Sequence, residues 1–324
     1  MNESVSVVIC AHDEERWPDL QAAVRSLEAQ TLRPHEVIVV VDRNPDLARN
    51  ARSNLSGVTV IENTGAPGLG GARNSGVAEA EGTIVAFLDD DATASPRWLE
   101  LLARGYDDDA VAGVGGSAQP VWETERPSWF PPEFDWVVGC SYLGMPEEPQ
   151  HVRNMFGCNM SFRRDLVREL GGFRLGYGCD ETELCIRLRQ RWPEKRVLYV
   201  PEARVLHRVP AGRTRFRRFL ARCYFEGGSK AVVSRLVGAG DGLASERDYV
   251  RRILPAGLRR GLTDALGRGR VSGAARAGAI VAGLASTAAG YAAAGAAIDK
   301  AARRRGWSGP VGRGHGDQMQ LPDP

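Results

Sequence analysis

Residues 83–91 read Thr83-Ile84-Val85-Ala86-Phe87-Leu88-Asp89-Asp90-Asp91, and the fold turns on this stretch. A short apolar run bounded by turn residues predicts a buried strand, and this one stops abruptly at three acids. Working outward toward the N-terminus, residues 5–10, 36–41 and 58–62 are three similar runs, the second ending at Asp42. Helical spacing separates them. Leu20, Ala23, Val24 and Leu27 mark a helix over 20–30, small residues mark one over 71–81, and a proline near its first turn opens another over 96–105. Strand–helix alternation predicts an α/β fold with a mostly parallel sheet and helices on both faces. In such sheets ligands bind beyond the carboxyl ends of the strands, where Asp42 and the three acids stand.

Beyond residue 116 the pattern changes. Residues 117–153 hold six prolines together with Trp122, Trp129, Phe130, Phe134, Trp136 and Tyr142, which predicts a long aromatic loop. The aromatics suit either a sugar-stacking wall or simple loop packing. A strand over 157–162, a helix over 163–170 stopped by Gly171-Gly172, a helix over 180–190 and a last strand over 196–200, ended by Pro201, complete this part. From about residue 213 the chain reads as helical and arginine-rich. Residues 277–298 carry no charge and match a membrane span in length, but 11 alanines and 4 glycines equally suit a helix packed on the protein. Residues 306–324 are expected to be disordered. The expected division is 1–212, 213–305 and 306–324.

The formal net charge of +2 hides a split. Residues 1–203 hold 20 basic and 32 acidic side chains, a net of −12, and residues 204–276 hold 17 and 5, a net of +12. Such asymmetry points to an anionic surface or ligand for the basic part. A hydrophobic share of 43% with 25% charged residues excludes a disordered chain. Six cysteines without a CxxC pair exclude a disulfide framework and a zinc ribbon. No signal peptide is read before the first strand, so a cytoplasmic setting is expected, peripheral or anchored at the cytoplasmic face of a membrane.

Four motifs carry chemistry. Acids at Asp89 and Asp91, directly after a strand, can present oxygens to Mg²⁺ or Mn²⁺ beside a phosphate, though a solvated turn would use the same residues. Gly68-Leu69-Gly70-Gly71-Ala72-Arg73 places glycines and a guanidinium at a helix start, where anions are favoured. Asp180-Glu181-Thr182-Glu183 either complements a helix dipole or supplies a general base. His207 follows a strand and gains meaning only in completing a metal site.

Together, in this order, these motifs resemble the family 2 glycosyltransferases of the GT-A fold, a Rossmann-like architecture, over roughly residues 4–210. Ser6-Val7-Val8-Ile9-Cys10-Ala11-His12-Asp13-Glu14 is similar to that family's first strand and nucleotide loop, with Cys10, Ala11, His12 and Asp13 where proline, threonine, aromatic and asparagine are usual. Val39-Val40-Val41-Asp42, Gly71-Ala72-Arg73-Asn74-Ser75-Gly76, Asn159-Met160-Ser161-Phe162-Arg163-Arg164, Leu170-Gly171-Gly172-Phe173 and the two acidic motifs also match. The resemblance implies nucleotide-sugar contacts from Ala11, Glu14, Asp42, Arg73, Asp89 and Asp90. It implies Mg²⁺ or Mn²⁺ on Asp91 and Asp89, with His207 as a further ligand. The general base is expected at Glu181, with Asp180 as its rival. It implies a metal-dependent, inverting hexosyl transfer from a nucleotide-diphosphate sugar, UDP favoured, to a hydroxyl acceptor.

The acceptor read from this is a cell-envelope glycan, a lipid-linked intermediate or a natural product. Residues 204–305 are expected to meet an anionic membrane surface, and no nucleic acid is expected as partner. Two other functions use the same features: a sugar-phosphate nucleotidyltransferase, and an inert membrane-associated glycan-binding or scaffold protein. The first should carry its glycine-rich loop directly after strand one, where this chain has Cys10-Ala11-His12-Asp13-Glu14. The second should have lost some of the acids.

Overall fold

The computed structural model describes residues 3–174 and 178–304. The expected disordered tail, 306–324, lies outside the described residues. Among the described residues, nine strands form one sheet: β1 (Val5–Ala11), β2 (Glu36–Val41), β3 (Thr59–Glu62), β4 (Ile84–Asp89), β5 (Ala92–Ala94), β6 (Val111–Trp122), β7 (Gln150–Val152), β8 (Asn159–Arg163) and β9 (Arg196–Val209). Their order is β3-β2-β1-β4-β8-β6-β9-β5, with β7 on β9. The first four pair in parallel, and β8 joins β4 antiparallel. The parallel half is the one expected from the four apolar runs.

The helices of this part are α1 (Trp17–Glu28), α2 (Pro45–Asn54), α3 (Leu69–Glu79), α4 (Trp98–Arg104), α5 (Arg164–Glu169) and α6 (Asp180–Arg191). The period of two in β1, β2 and β4 sorts their side chains between two cores. Val7, Ile9, Val39 and Leu88 pack with Leu20 and Leu27 of α1, Leu47 of α2 and Trp98 of α4. Val8, Ile38, Val40 and Phe87 pack with Val77 of α3, Val167 of α5 and Leu184 of α6. Strands buried on both faces explain the unbroken apolar runs.

Besides the short strands β5 and β7, three elements depart from expectation. Residues 45–54 form a helix, opened by Asn44, whose side chain accepts from the Leu47 amide at 2.9 Å, and by Pro45. Residues 111–122 form a strand despite Gly113, Gly115 and Gly116. A Cβ on Gly116 would lie 1.8 Å from the Ala203 carbonyl oxygen, so strand packing demands what β propensity disfavours. Pro201 does not end β9 but lies between the segment paired with β7, Val197 to Tyr199, and the segment paired with β5, Val205 to His207.

The chain falls into two compact units. Among the described residues, the first comprises 3–119, 146–174 and 180–208, and the second 120–145, 178–179 and 209–304. The second unit contains α7 (Phe216–Val237), α8 (Ala239–Gly242), α9 (Ala244–Asp248), α10 (Leu254–Arg268) and α11 (Val271–Arg304). Its core holds Phe130, Phe134, Phe219, Leu254 and Ile280, with Trp122, Trp129 and Trp136 packed against it. The aromatic stretch is thus packed on α7, with ring centroids of Phe130 and Phe219 5.4 Å apart. Within α11, Val271–Ala301 is long and apolar enough to cross a membrane by length and composition.

Candidate active site

Sheet register assembles the acids. Ala11 pairs with Val41, and Cys10 with Asp89, so β1, β2 and β4 end together. The Asp42 amide donates to the Ala11 carbonyl at 2.8 Å, and Ala11 is buried. The Asp42 carboxylate accepts from Asn63 Nδ2 at 2.6 Å and from the Gly68 amide at 2.8 Å, which joins it to the glycine loop before α3. Glu14 opens a short 3₁₀ turn and is exposed. Arg16, at the end of that turn, reaches the acids instead. Its Nη1 lies 2.9 Å from Asp90 Oδ1 and 3.4 Å from Asp91 Oδ2.

β5 pairs antiparallel with β9 so that Ala92 faces His207. This sets His207 Nε2 3.2 Å from Asp91 Oδ1 and 4.0 Å from Asp89 Oδ2. Leu88 faces Asn159 across β4 and β8, which carries the neighbouring Cys158 to the same place. Ligand atoms of Asp89, Cys158 and His207 all lie within 4.8 Å of one another. Burial pushes Asp89 up, only partly offset by Arg73, and pushes Asp90 up to about 7 against the pull of Arg16. Asp90 Oδ2 is buried and has no hydrogen-bond partner among the described residues. Three carboxyl groups held this way, with an imidazole nitrogen beside two of them, are a donor set that fits a hard divalent cation.

Arg73 is the hub on the other side. It is 2% exposed, donates from Nη1 to both oxygens of Asp180 at 3.1 and 3.0 Å, and from Nη2 to the Gly157 carbonyl at 3.1 Å. Asp89 lies 3.9 Å from the same guanidinium. Burial alone would lower Arg73, but Asp180 and Asp89 outweigh it and hold the group firmly charged. Asn74 donates to the Phe173 carbonyl at 2.9 Å and accepts from the Phe173 amide at 2.7 Å. The Gly171-Gly172 turn is therefore tied directly to α3.

The acids opening α6 divide by partner. Asp180 is taken by Arg73. Glu183 is buried between Arg187, with Nε at 2.9 Å, and Arg174, with Nη1 at 3.1 Å, while Arg187 also holds the Gly172 carbonyl at 2.8 Å. Glu181 has no ion pair among the described residues. Its oxygen accepts from Thr182 at 3.3 Å. Burial first, and the Asp180 charge second, push its carboxyl up to about 7. A carboxyl poised there, beside a fixed ion pair, can accept a proton near neutral pH.

The structure thus gathers Asp89, Asp90, Asp91 and His207 into one cluster and links Asp89 through Arg73 to Asp180. Arg16 and Cys158 were not singled out from the sequence. For Arg16 the signal was a basic residue two places after Glu14, and for Cys158 its place just before the Asn159 motif.

The family model for glycosyl transferase family 2 matches residues 6–171. The glucosyl-dolichyl phosphate glucuronosyltransferase of Haloferax volcanii is 38% identical over 245 residues, which cover 72% of this chain and 78% of that relative. The pre-mycofactocin glycosyltransferase of Mycobacterium tuberculosis is 31% identical over 182 residues, 55% of this chain but 37% of its own length. Two solved structures share the fold. The mannosyltransferase PcManGT from Pyrobaculum calidifontis, in complex with GDP-Man and Mn²⁺, superposes with a TM-score of 0.53 at 19% identity, covering 95% of this chain and 82% of its own. GalNAc-T7 with UDP, GalNAc and Mn²⁺ gives 0.51 at 20% identity, covering 71% of this chain and 51% of its own. A curled α/β sheet of GT-A type, the clustered acids at its strand ends and a match over half the chain lead to one conclusion: this chain belongs to glycosyl transferase family 2 and is a glycosyltransferase.

Proposed function

We propose that the chain transfers a sugar from a nucleoside-diphosphate donor, a UDP-sugar first among candidates, to a hydroxyl of a lipid-linked glycan, with inversion at the anomeric carbon. The observation that carries this reading is the division of acids on α6, where Asp180 is neutralised by Arg73 and Glu181 is left as a carboxyl poised near 7. Asp42 and Ala11 would take the nucleobase end of the donor, with Glu14 at the rim. Asp89 and Asp90 would flank the ribose and diphosphate. Asp91, Asp89 and His207 would hold Mg²⁺ or Mn²⁺, and Mn²⁺ accompanies GDP-Man in one fold relative and UDP in the other. When bound, such an ion offsets negative charge on the diphosphate.

Glu181 accepts the proton of the acceptor hydroxyl. The hydroxyl oxygen then bonds the anomeric carbon from the face opposite the diphosphate, the bond to the diphosphate oxygen breaks, and its electron pair leaves with the nucleoside diphosphate. Arg73 orients Asp180 and adds positive charge beside Asp89. Glutamate reaches one methylene beyond aspartate, and Asp180 already accepts two hydrogen bonds from Arg73, which supports Glu181 over Asp180 as the base.

The name of the Haloferax relative, which acts on a glucosyl-dolichyl phosphate, favours a lipid-linked acceptor over a natural product. Residues 1–212 would carry the catalysis. Residues 213–305 would form the basic attachment, with 204–305 meeting an anionic membrane at the cytoplasmic face. A matrix of nucleotide sugars against polyprenyl-phosphate-linked and water-soluble sugars tests this. Product only with the lipid-linked series is the expected result, and product confined to soluble acceptors overturns it.

A further inference from the structure

The outer side of α11 is unlike the surface of a soluble helix. Every exposed position from Val271 to Ala297 is alanine, glycine, valine or leucine. A solvated helix would place charged and polar residues there. At its start the hairpin with α10 turns through Gly269, and the two residues flanking the turn are almost bare: Leu266 is 86% exposed and Val271 84%. Leu262, one turn earlier on α10, is 45% exposed. An apolar strip of this kind marks an interaction surface.

Charge identifies the partner. Arg270 is exposed at the tip, Arg259 two turns before Leu266 on α10, and Lys300 at the far end of the strip. The two acids on these helices are neutralised within the chain, Asp264 by Arg276 at 2.6 Å and Asp299 by Arg235 at 2.7 Å. The stretch 204–276 carries a net +12. A second copy would bring the same positive charge. A strip about 40 Å long and about 10 Å wide offers about 400 Å², half of the roughly 800 Å² per partner in a standard interface. An anionic lipid surface matches both the apolar strip and the basic rim.

The packing of α11 also fixes its orientation. A Cβ on Gly227 of α7 would lie 2.0 Å from the Thr287 carbonyl oxygen, and one on Gly290 would lie 1.9 Å from the Tyr224 carbonyl oxygen. Ser286 Oγ donates to the Leu220 carbonyl at 2.8 Å. The two helices are in backbone contact, and α7 carries Arg222, Glu226 and Lys230 as a charged network. Spanning a bilayer would either strip α11 from α7 or drag those charges into hydrocarbon.

We propose that the α10–α11 hairpin is an in-plane membrane anchor, with Leu266 and Val271 at its tip and the uncharged side of α11 laid into an anionic bilayer surface without crossing it. This rests on the membrane contact proposed above for 204–305 and adds the surface that makes it and its orientation.

The full chain is sedimented with vesicles of phosphatidylcholine alone and of phosphatidylcholine with phosphatidylglycerol. The wild-type chain is expected to bind the anionic vesicles and to be stripped by alkaline carbonate. The double variant L266E/V271E is expected to bind at least tenfold more weakly, with its thermal midpoint unchanged because both side chains lie in solvent. In L266W, brominated lipid chains are expected to quench the new indole. Equal binding by the double variant, or no quenching in L266W, overturns the tip while leaving the membrane contact standing. Retention after carbonate overturns the in-plane orientation. Absence of wild-type binding to either vesicle overturns the membrane contact itself. A self-associating wild-type chain that the double variant makes monomeric assigns the strip to a second copy and overturns the proposal.

Discussion

Replacing Glu181 by Gln separates catalysis from stability. Its carboxyl is held at about 7 instead of its ordinary 4.5, first by burial and then by Asp180. The folded-state value lies above the unfolded one, so the folded chain binds the extra proton between them. The stability of the protonated carboxyl is complete below the unfolded value and is lost as pH rises through about 7. Carrying the charge above that point costs about 3 kcal/mol at about 1.4 kcal/mol for each pH unit. Solvent reaching this partly exposed side chain reduces the figure to about 2 kcal/mol. Glutamine keeps the shape and removes the charge. Glu181→Gln is therefore expected to raise the thermal midpoint by about 4–8 °C at about pH 8, and to leave it unchanged at about pH 4, where both side chains are neutral. Turnover at saturating donor falls by about 10² to 10⁴, the usual worth of a general base. Thermal melts at the two pH values and nucleoside diphosphate release give the answer. A variant that is active, or one that gains nothing in stability at the higher pH, refutes the reasoning.

Other consequences concern the supports of the site. Arg73→Lys loses the paired hydrogen bonds to Asp180 and the Gly157 contact, and is expected to cost about 3 kcal/mol in urea unfolding together with most activity. Asn159→Ala removes the acceptor of Trp98 Nε1 at 2.7 Å and the donor to the Ser117 and Ala203 carbonyls at 2.9 and 2.8 Å. With three buried groups left unpaired, calorimetry should show a loss of about 3 kcal/mol or more. Gly172→Ala meets two obstacles, a φ of +78° and a Cβ 2.3 Å from Asn74 Oδ1, so a loss of more than about 1 kcal/mol is expected in thermal melts.

The sequence was most legible where one physical demand ruled a segment. Strands buried on both faces must be continuously apolar, so β1, β2 and β4 stood out, and the acids at their ends followed. Residues 111–122 were hidden because close approach to Ala203 and Met155 requires glycines that β propensity counts against. The helix at Pro45 was signalled by Asn44 and Pro45 but was short and polar outside Leu47, Ala48 and Ala51. The motifs around Asp180 could be recognised, but the separation of Asp180 from Glu181 could not, since it depends on a guanidinium 107 residues earlier in the chain. Cys158 and Arg16 joined the acid cluster only through strand register and a turn after β1.

A divalent ion held at Asp91 and His207 during cleavage of a nucleotide sugar is the central expectation. Nucleoside diphosphate release from a panel of nucleotide sugars, with Mn²⁺ or with chelator, by the wild-type chain and Asp91→Ala, tests it most directly. Release by the wild-type chain only with the metal, and none by the variant, is the predicted result. Full release in chelator or by Asp91→Ala, or formation of pyrophosphate from a nucleoside triphosphate and a sugar phosphate in its place, would contradict it.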